Sequence, residues 1–234
     1  MTLSELAMRV DEILATRLEE RAWDVAPFAE EVPLRRGAAT LEAAFLYADF
    51  AGSYRLSAVM RWETTARVLR AYLVAATRLI KKNHGDVRSF DGDRVMGVFT
   101  GPSRYDDAVR CALQIDYAVE RLIVPKVYRR FPGLERNRIE VGHGVGVDAG
   151  LVRAVQAGIR NNNDLIWIGQ APSFAAKLSD IRAWPYTIHI SEGVYDALPP
   201  ELRRKQGRNL WSARMEPISG EMELTYRTRA QMAF

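Results

Sequence analysis

A single cysteine in 234 residues removes much chemistry at once. Cys111 alone allows neither a disulfide framework nor a thiolate metal site, and its neighbours Ala108, Ala112 and Ile115 place it on a buried helical face. A reduced, intracellular setting fits that usage. No apolar run approaches the roughly 20 residues of a membrane span, and no basic-then-apolar leader opens the chain. The expectation is a soluble, cytoplasmic protein with no membrane partner. Charge of neither sign dominates: 33 Lys and Arg face 29 Asp and Glu, for a net charge of +4. The basic residues are scattered rather than interleaved with aromatics, which argues against a nucleic-acid partner. The three histidines, His84, His143 and His189, have no zinc-motif spacing, and no Ser-His-Asp or Cys-His arrangement can be defended from order alone.

What remains is ample for a core. With 48% hydrophobic and 26% charged residues, the chain reads as one α/β domain carrying an N-terminal extension. Thr2 and Glu5 stand at capping-box spacing, and Leu3, Leu6, Val10, Ile13 and Leu18 recur at helical intervals. That stripe needs a partner surface, either on its own domain or on a second copy. Residues 23–42, with Pro27, Pro33 and Gly37, show no sustained period and read as a connector. The domain boundary is therefore set at residue 40, with residues 41–234 forming the main unit.

From Ala43 the pattern runs strand, helix, two strands about a turn, helix, strand. The helix after Asp49 carries Val59, Trp62, Ala66, Leu69, Leu73, Ala76 and Ile80 as one uninterrupted seam. Asp91-Gly92 is suited to a hairpin between Val87–Phe90 and Arg94–Phe99, because glycine accepts positive φ. A helix follows from Tyr105 to Arg130, with Ala108, Cys111, Ile115, Val119 and Leu122 on one face. Strands are expected at 139–147 and 151–155, a polar loop at Asn161–Asp164, and a strand at 165–168. A helix over 171–181, a strand over 186–190, a short helix from Ser191 and a mixed tail complete the chain. The β-α-β-β-α-β order predicts an α+β fold of ferredoxin-like layout, a sheet with helices on one face, with extra C-terminal elements and the N-terminal helix.

Two aspartates stand out on this scaffold. Asp49 ends the run Ala43–Ala48, and Asp93 follows the Asp91-Gly92 turn. Carboxylates at the tips of adjacent strands repel unless a cation lies between them, and such a pair can hold divalent metal against a triphosphate. Taken singly, Asp49 could merely cap a helix and Asp93 merely close a hairpin.

The segment Phe45-Leu46-Tyr47-Ala48-Asp49-Phe50-Ala51-Gly52-Ser53 resembles the first metal motif of class III nucleotidyl cyclases. Gly92-Asp93 with Val98-Phe99 is similar to the second metal motif. Gly144–Val152 resembles the family's Gly-rich strand and turn, and Ile168-Gly169 with Ala175–Leu178 its transition-state helix. The resemblance covers roughly residues 41–195, which makes residues 41–234 the expected catalytic domain. It implies an enzyme in which the ribose 3′-oxygen of a nucleoside triphosphate attacks the α-phosphorus and pyrophosphate leaves. It also implies two divalent cations, Mn²⁺ or Mg²⁺, bridged by Asp49 and Asp93, with the Phe50 carbonyl completing one shell. Backbone N–H groups of Ala51, Gly52, Ser53 and Tyr54 would hold the phosphates.

The chain departs from the family at several places. Its transition-state asparagine and arginine fall on Ser173 and Lys177, and lysine lacks the bidentate fork of arginine. The phosphate-contacting lysine falls near Ser219 and Gly220, with Arg214 a conceivable substitute. The purine-reading positions are Ser89 and Ile166, which satisfy neither the adenine nor the guanine code. Tyr54 stands where a threonine is common and offers a hydrogen bond to a smaller ring; its bland alternative is packing at the helix start. This resembles the stand-alone pyrimidine cyclases of bacterial anti-phage defence, which implies cyclic UMP, or cyclic CMP, as product, with UTP the preferred substrate. Because the chain carries both half-sets of residues, a homodimer with shared sites is implied. The competing readings are an adenylate cyclase with an atypical base pocket, a degenerate cyclase that binds nucleotide without turnover, and an ordinary ferredoxin-like interaction domain.

Overall fold

The computed structural model describes residues 1–159 and 162–234. In chain order the elements are α1 (Leu3–Ala15), β1 (Glu19–Ala22), a 3₁₀ turn (Ala29–Glu31), β2 (Gly37–Ala51), α2 (Ser53–Val59) and α3 (Trp62–Lys82). Next come β3 (Asp86–Asp91), β4 (Arg94–Phe99), α4 (Arg104–Ala118), a π-helical stretch (Val119–Ile123), α5 (Val124–Arg130) and α6 (Gly133–Arg136). The second half holds β5 (Gly142–Ile159), β6 (Asn162–Ile168), α7 (Gln170–Asp180), β7 (Ile188–Ser191), α8 (Glu192–Ala197) and α9 (Pro200–Arg203). Two small hairpins end it: β8 (Arg204–Lys205) with β9 (Arg208–Asn209), and β10 (Ser212–Ile218) with β11 (Glu221–Thr228).

The main sheet has the order β10-β11-β7-β5-β2-β4-β3, so its β5-β2-β4-β3 part, with α3 and α4, is the expected ferredoxin-like unit. The strands β7, β11 and β10 extend the β5 edge. Small residues make the centre of this sheet thin. Along β2, Ala44, Leu46, Ala48 and Phe50 face α3 and α4, and Ala43 and Phe45 face the other way. That second face is not open: α7 covers it with Ala171 and Ala175, and Phe45 meets Trp167 edge-on at 5.4 Å. The expectation of helices on one face is therefore corrected, and the cause lies in β5. A Cβ at Gly146 would strike the Ala175 carbonyl and the Ser179 amide, and one at Gly144 the Ser179 carbonyl. Only bare backbone lets the helix lie this close to the strand.

Other boundaries also move. β2 begins at Gly37, inside the expected connector, and Glu19–Ala22 pairs in parallel with its first residues. Ala38, Ala39 and Leu41 are buried there, and none of the three has the β-branched side chain that would announce a strand. The helix after Asp49 breaks at Met60 and Arg61, both extended, with Leu56 buried before the break and Trp62 exposed after it. The seam of α3 is Thr65, Val68, Tyr72, Ala76, Leu79 and Ile80, with Leu69 and Leu73 half-buried at its margin. Pro125 has no N–H to return to the carbonyl four residues back, and the preceding turn widens to a π-helix that leaves Leu122 exposed. The expected strands at 139–147 and 151–155 are one continuous β5, because Gly150 takes no left-handed φ and makes no turn. Of the expected polar loop, Asn161 lies outside the described residues, and Asn163 and Asp164 already belong to β6.

α1 has its capping box: Thr2 N–H donates to Glu5 Oε2 at 2.7 Å, and Glu5 N–H to Thr2 Oγ1 at 3.2 Å. None of its residues is buried, so its stripe finds no cover among the described residues. Among the described residues no helix is long and apolar enough to cross a membrane.

Candidate active site

The register of β2 decides what surrounds Asp49. It lies opposite Arg94 on β4 and Gly144 on β5, on the face that carries α7. Arg94 pairs with Asp91 at 3.7 Å and Asp180 at 3.3 Å, and its charge also acts on Asp49. Asp93 closes the β3–β4 turn, where its carbonyl accepts the Phe50 N–H at 3.3 Å. The two aspartates thus come together at one end of the β2–β4 pair. Burial, helped by the charge of Asp93, holds the Asp49 carboxyl above its ordinary range even though Arg182 and, less, Arg94 pull it down.

Three residues that no local pattern marks complete the surroundings. Arg182, just past α7, ion-pairs with Asp49 and also donates to the Ser179 carbonyl. Tyr72 of α3 is fully buried between Phe50 (ring centroids 5.5 Å) and His143 (6.0 Å), and its hydroxyl has no partner. Burial, reinforced by Asp49 and less by Asp93, holds that phenol far from ionisation. His189 of β7 lies opposite Gly146 and Arg227, fully enclosed, with both ring nitrogens unpartnered. Burial first, then Arg227 and Arg182, lowers its pKa to about 4. His143, by contrast, is held by Asp116 at 3.0 Å, and Asp116 also accepts from Thr187 and, at 2.7 Å, from Gln231.

The remaining expected residues fall in two places. Ala51, Gly52, Ser53 and Tyr54 follow Asp49 and Phe50, with Gly52 left-handed at φ 86° before α2. Tyr54 is 88% exposed, which removes packing at the helix start as its role. Ser89 is half-buried on β3, opposite Met96. Ser173 and Lys177 lie one turn apart on the exposed side of α7, and Lys177 donates to Ser219 in the β10–β11 turn; Arg214 is exposed on β10. Ile166 is exposed on β6, opposite Val155 of β5. Val155 is eleven residues along β5 from Gly144, about 36 Å of strand, so one copy of the chain does not bring Ile166 to Asp49.

Among the described residues no three His, Cys, Asp or Glu side chains gather to enclose a metal. Asp49, raised by burial and by the charge of Asp93, and the backbone that follows it nonetheless offer a donor set of hard oxygens, which fits Mg²⁺ or Mn²⁺ completed by water and phosphate. A cleft of about 690 Å³ lies elsewhere, between the end of α1 and β1, beside Glu12, Arg17, Glu19 and Arg36. It is at the far end of β2 from Asp49.

No family model matches the chain. It is 40% identical over 177 residues to a uridylate cyclase of Rhodovulum sp., covering 76% of this chain and 74% of that one. The chain belongs to the uridylate cyclase family. A uridylate cyclase of Burkholderia cepacia is 36% identical over 170 residues, covering 73% and 72%. The chain is thus a nucleotidyl cyclase. Its fold is that of the class III catalytic domains: the adenylyl cyclase CyaB from P. aeruginosa superimposes with a TM-score of 0.62 at 19% identity, over 82% of this chain and 95% of that one.

Proposed function

We propose that this cyclase converts UTP to 3′,5′-cyclic UMP and pyrophosphate, in sites built between two copies of the chain. The observation that carries the reading is the meeting of Asp49 and Asp93 in a chain 40% identical to a uridylate cyclase. Two divalent cations held by Asp49, Asp93 and the Phe50 carbonyl would acidify the ribose 3′-hydroxyl and neutralise the departing pyrophosphate.

The protein's own residues do the rest. Backbone N–H groups from Ala51 to Tyr54 hold the phosphates where Gly52 turns the chain. The Tyr54 hydroxyl, free of any packing role, donates to or accepts from the pyrimidine edge. Ser89, on β3, and Ile166, from the second copy, shape the base pocket without the polar groups that a purine needs. Ser173 hydrogen-bonds the ribose, and Lys177 places its ammonium against charge that develops on phosphorus. Since Ile166 stands so far from Asp49 within one chain, the partner copy supplies it, with Ser173 and Lys177 on the adjoining α7. The cyclic nucleotide would act as a second messenger in anti-phage defence inside the cytoplasm.

The test is to incubate the protein with each of the four ribonucleoside triphosphates and Mn²⁺, and to identify products by mass spectrometry. Cyclic UMP from UTP is expected, with Asp49→Asn and Asp93→Asn each lowering turnover by about three orders of magnitude. Conversion of ATP alone would remove the pyrimidine assignment.

A further inference from the structure

Arg182 is seated rather than stranded. Its guanidinium reaches two acceptors, the Asp49 carboxylate and the Ser179 carbonyl at the end of α7. The space it uses exists because residue 144 is glycine: a Cβ there would stand at 2.5 Å from Arg182 Nη1. Below it, His189 is neutral, so the guanidinium meets no second cation from the imidazole. Arg94, the cation directly across the strands, is committed to Asp91 and Asp180. The arginine therefore sits on the carboxylate that Asp93 makes costly to leave bare.

We propose that Arg182 is the resident counter-ion of the metal seat, holding Asp49 in the metal-free protein and yielding it when a divalent cation arrives. The proposal rests on the reading of Asp49 and Asp93 as the metal pair. One carboxylate cannot direct the same lone pairs at a guanidinium and at a metal ion, so the two cations compete. Arginine suits this role because it stays charged at every working pH and its side chain is flexible, while its tie to Ser179 keeps it at hand for return. The guanidinium raises the metal concentration needed for occupancy, and the seat fills most readily when the metal comes with a triphosphate that adds its own ligands.

The experiment titrates metal-free protein with Mn²⁺ alone, reading free Mn²⁺ by electron paramagnetic resonance, with melting curves to confirm folding. Arg182→Gln and Arg182→Ala should bind Mn²⁺ at least threefold more tightly than the unaltered protein, and Arg182→Lys within about twofold of it. An arginine that only caps α7 would leave the affinity unchanged or weaken it, and that result in a folded neutral variant overturns the proposal. Should neither neutral variant fold, arginine-labelled NMR spectra of the unaltered protein decide: the restrained Nη signals of Arg182 should collapse on saturation with Mg²⁺, and their persistence overturns it. Asp49→Asn separates the two levels. Loss of Mn²⁺ binding there with no tightening in the Arg182 variants sinks only the counter-ion; Mn²⁺ binding that survives Asp49→Asn sinks the metal pair and the counter-ion together.

Discussion

His189 carries a pH dependence whose sign can be worked out. Its folded pKa of about 4 lies below the ordinary 6.5, so protons prefer the unfolded chain. The associated stability is complete above about pH 6.5 and drains as the pH falls toward 4, by about 3 kcal/mol in all. Asp116 behaves differently: burial would raise its carboxyl, but His143, Thr187 and Gln231 hold it low, so its contribution is lost only below its ordinary 3.8. The two windows do not overlap. His189→Leu should therefore match or slightly exceed the parent at pH 7, since it removes two unpartnered nitrogens, and should lose markedly less stability between pH 6.5 and 4.5. Urea midpoints at both pH values check this. None of it was legible from the sequence, where His189 is one histidine in a late strand. Asp49 and Asp93 were legible because each sits in a local motif. Arg182 was not, because it reaches Asp49 from beyond the end of α7 through packing that leaves no trace in spacing.

At the scale of elements, the contact between α7 and β5 is the most exacting in the fold. Gly146→Ala should cost about 3 kcal/mol, because the new methyl meets helix backbone that cannot rotate aside. Gly150→Ala, in the same strand with open space around it, should change stability by less than about 0.5 kcal/mol. Denaturant midpoints of the two variants measure the contrast, and turnover should fall in the first alone as Ser173 and Lys177 shift with their helix. The glycines were legible as a motif, but their reason was not: the sequence suggested a turn at 148–150, whereas the structure uses 144 and 146 to seat a helix and keeps β5 straight on. The helix break at Met60 was equally hidden, since neither glycine nor proline marks it. By contrast the Asp91-Gly92 hairpin, the capping box of α1 and the bounds of α7 followed from local chemistry, and they stand where that chemistry put them.

For the whole molecule, the separation of Ile166 from Asp49 makes assembly the decisive prediction. Asp49→Ala copies mixed with Lys177→Ala copies should recover about a quarter of the parental activity, from the one intact site in each mixed pair, though each variant alone is inactive. Product formation after mixing and equilibration is the measurement, and turnover per chain should fall on dilution as pairs separate. No gain beyond the separate variants would rule out shared sites. This level was only partly legible: the sequence shows both half-sets of residues, but only the pairing of β6 on the distal half of β5 shows how far one chain holds Ile166 from Asp49.

β5 thereby acts as a ruler. Its eighteen residues join the end that meets the carboxylates to the end that carries β6, so in the twofold pair proposed above their number would set the gap between the two reaction centres. Lengthening it by a residue pair would preserve the alternation of inward and outward side chains yet push both centres out of alignment by about 7 Å. On the proposed assembly, this strand would tolerate no change of length.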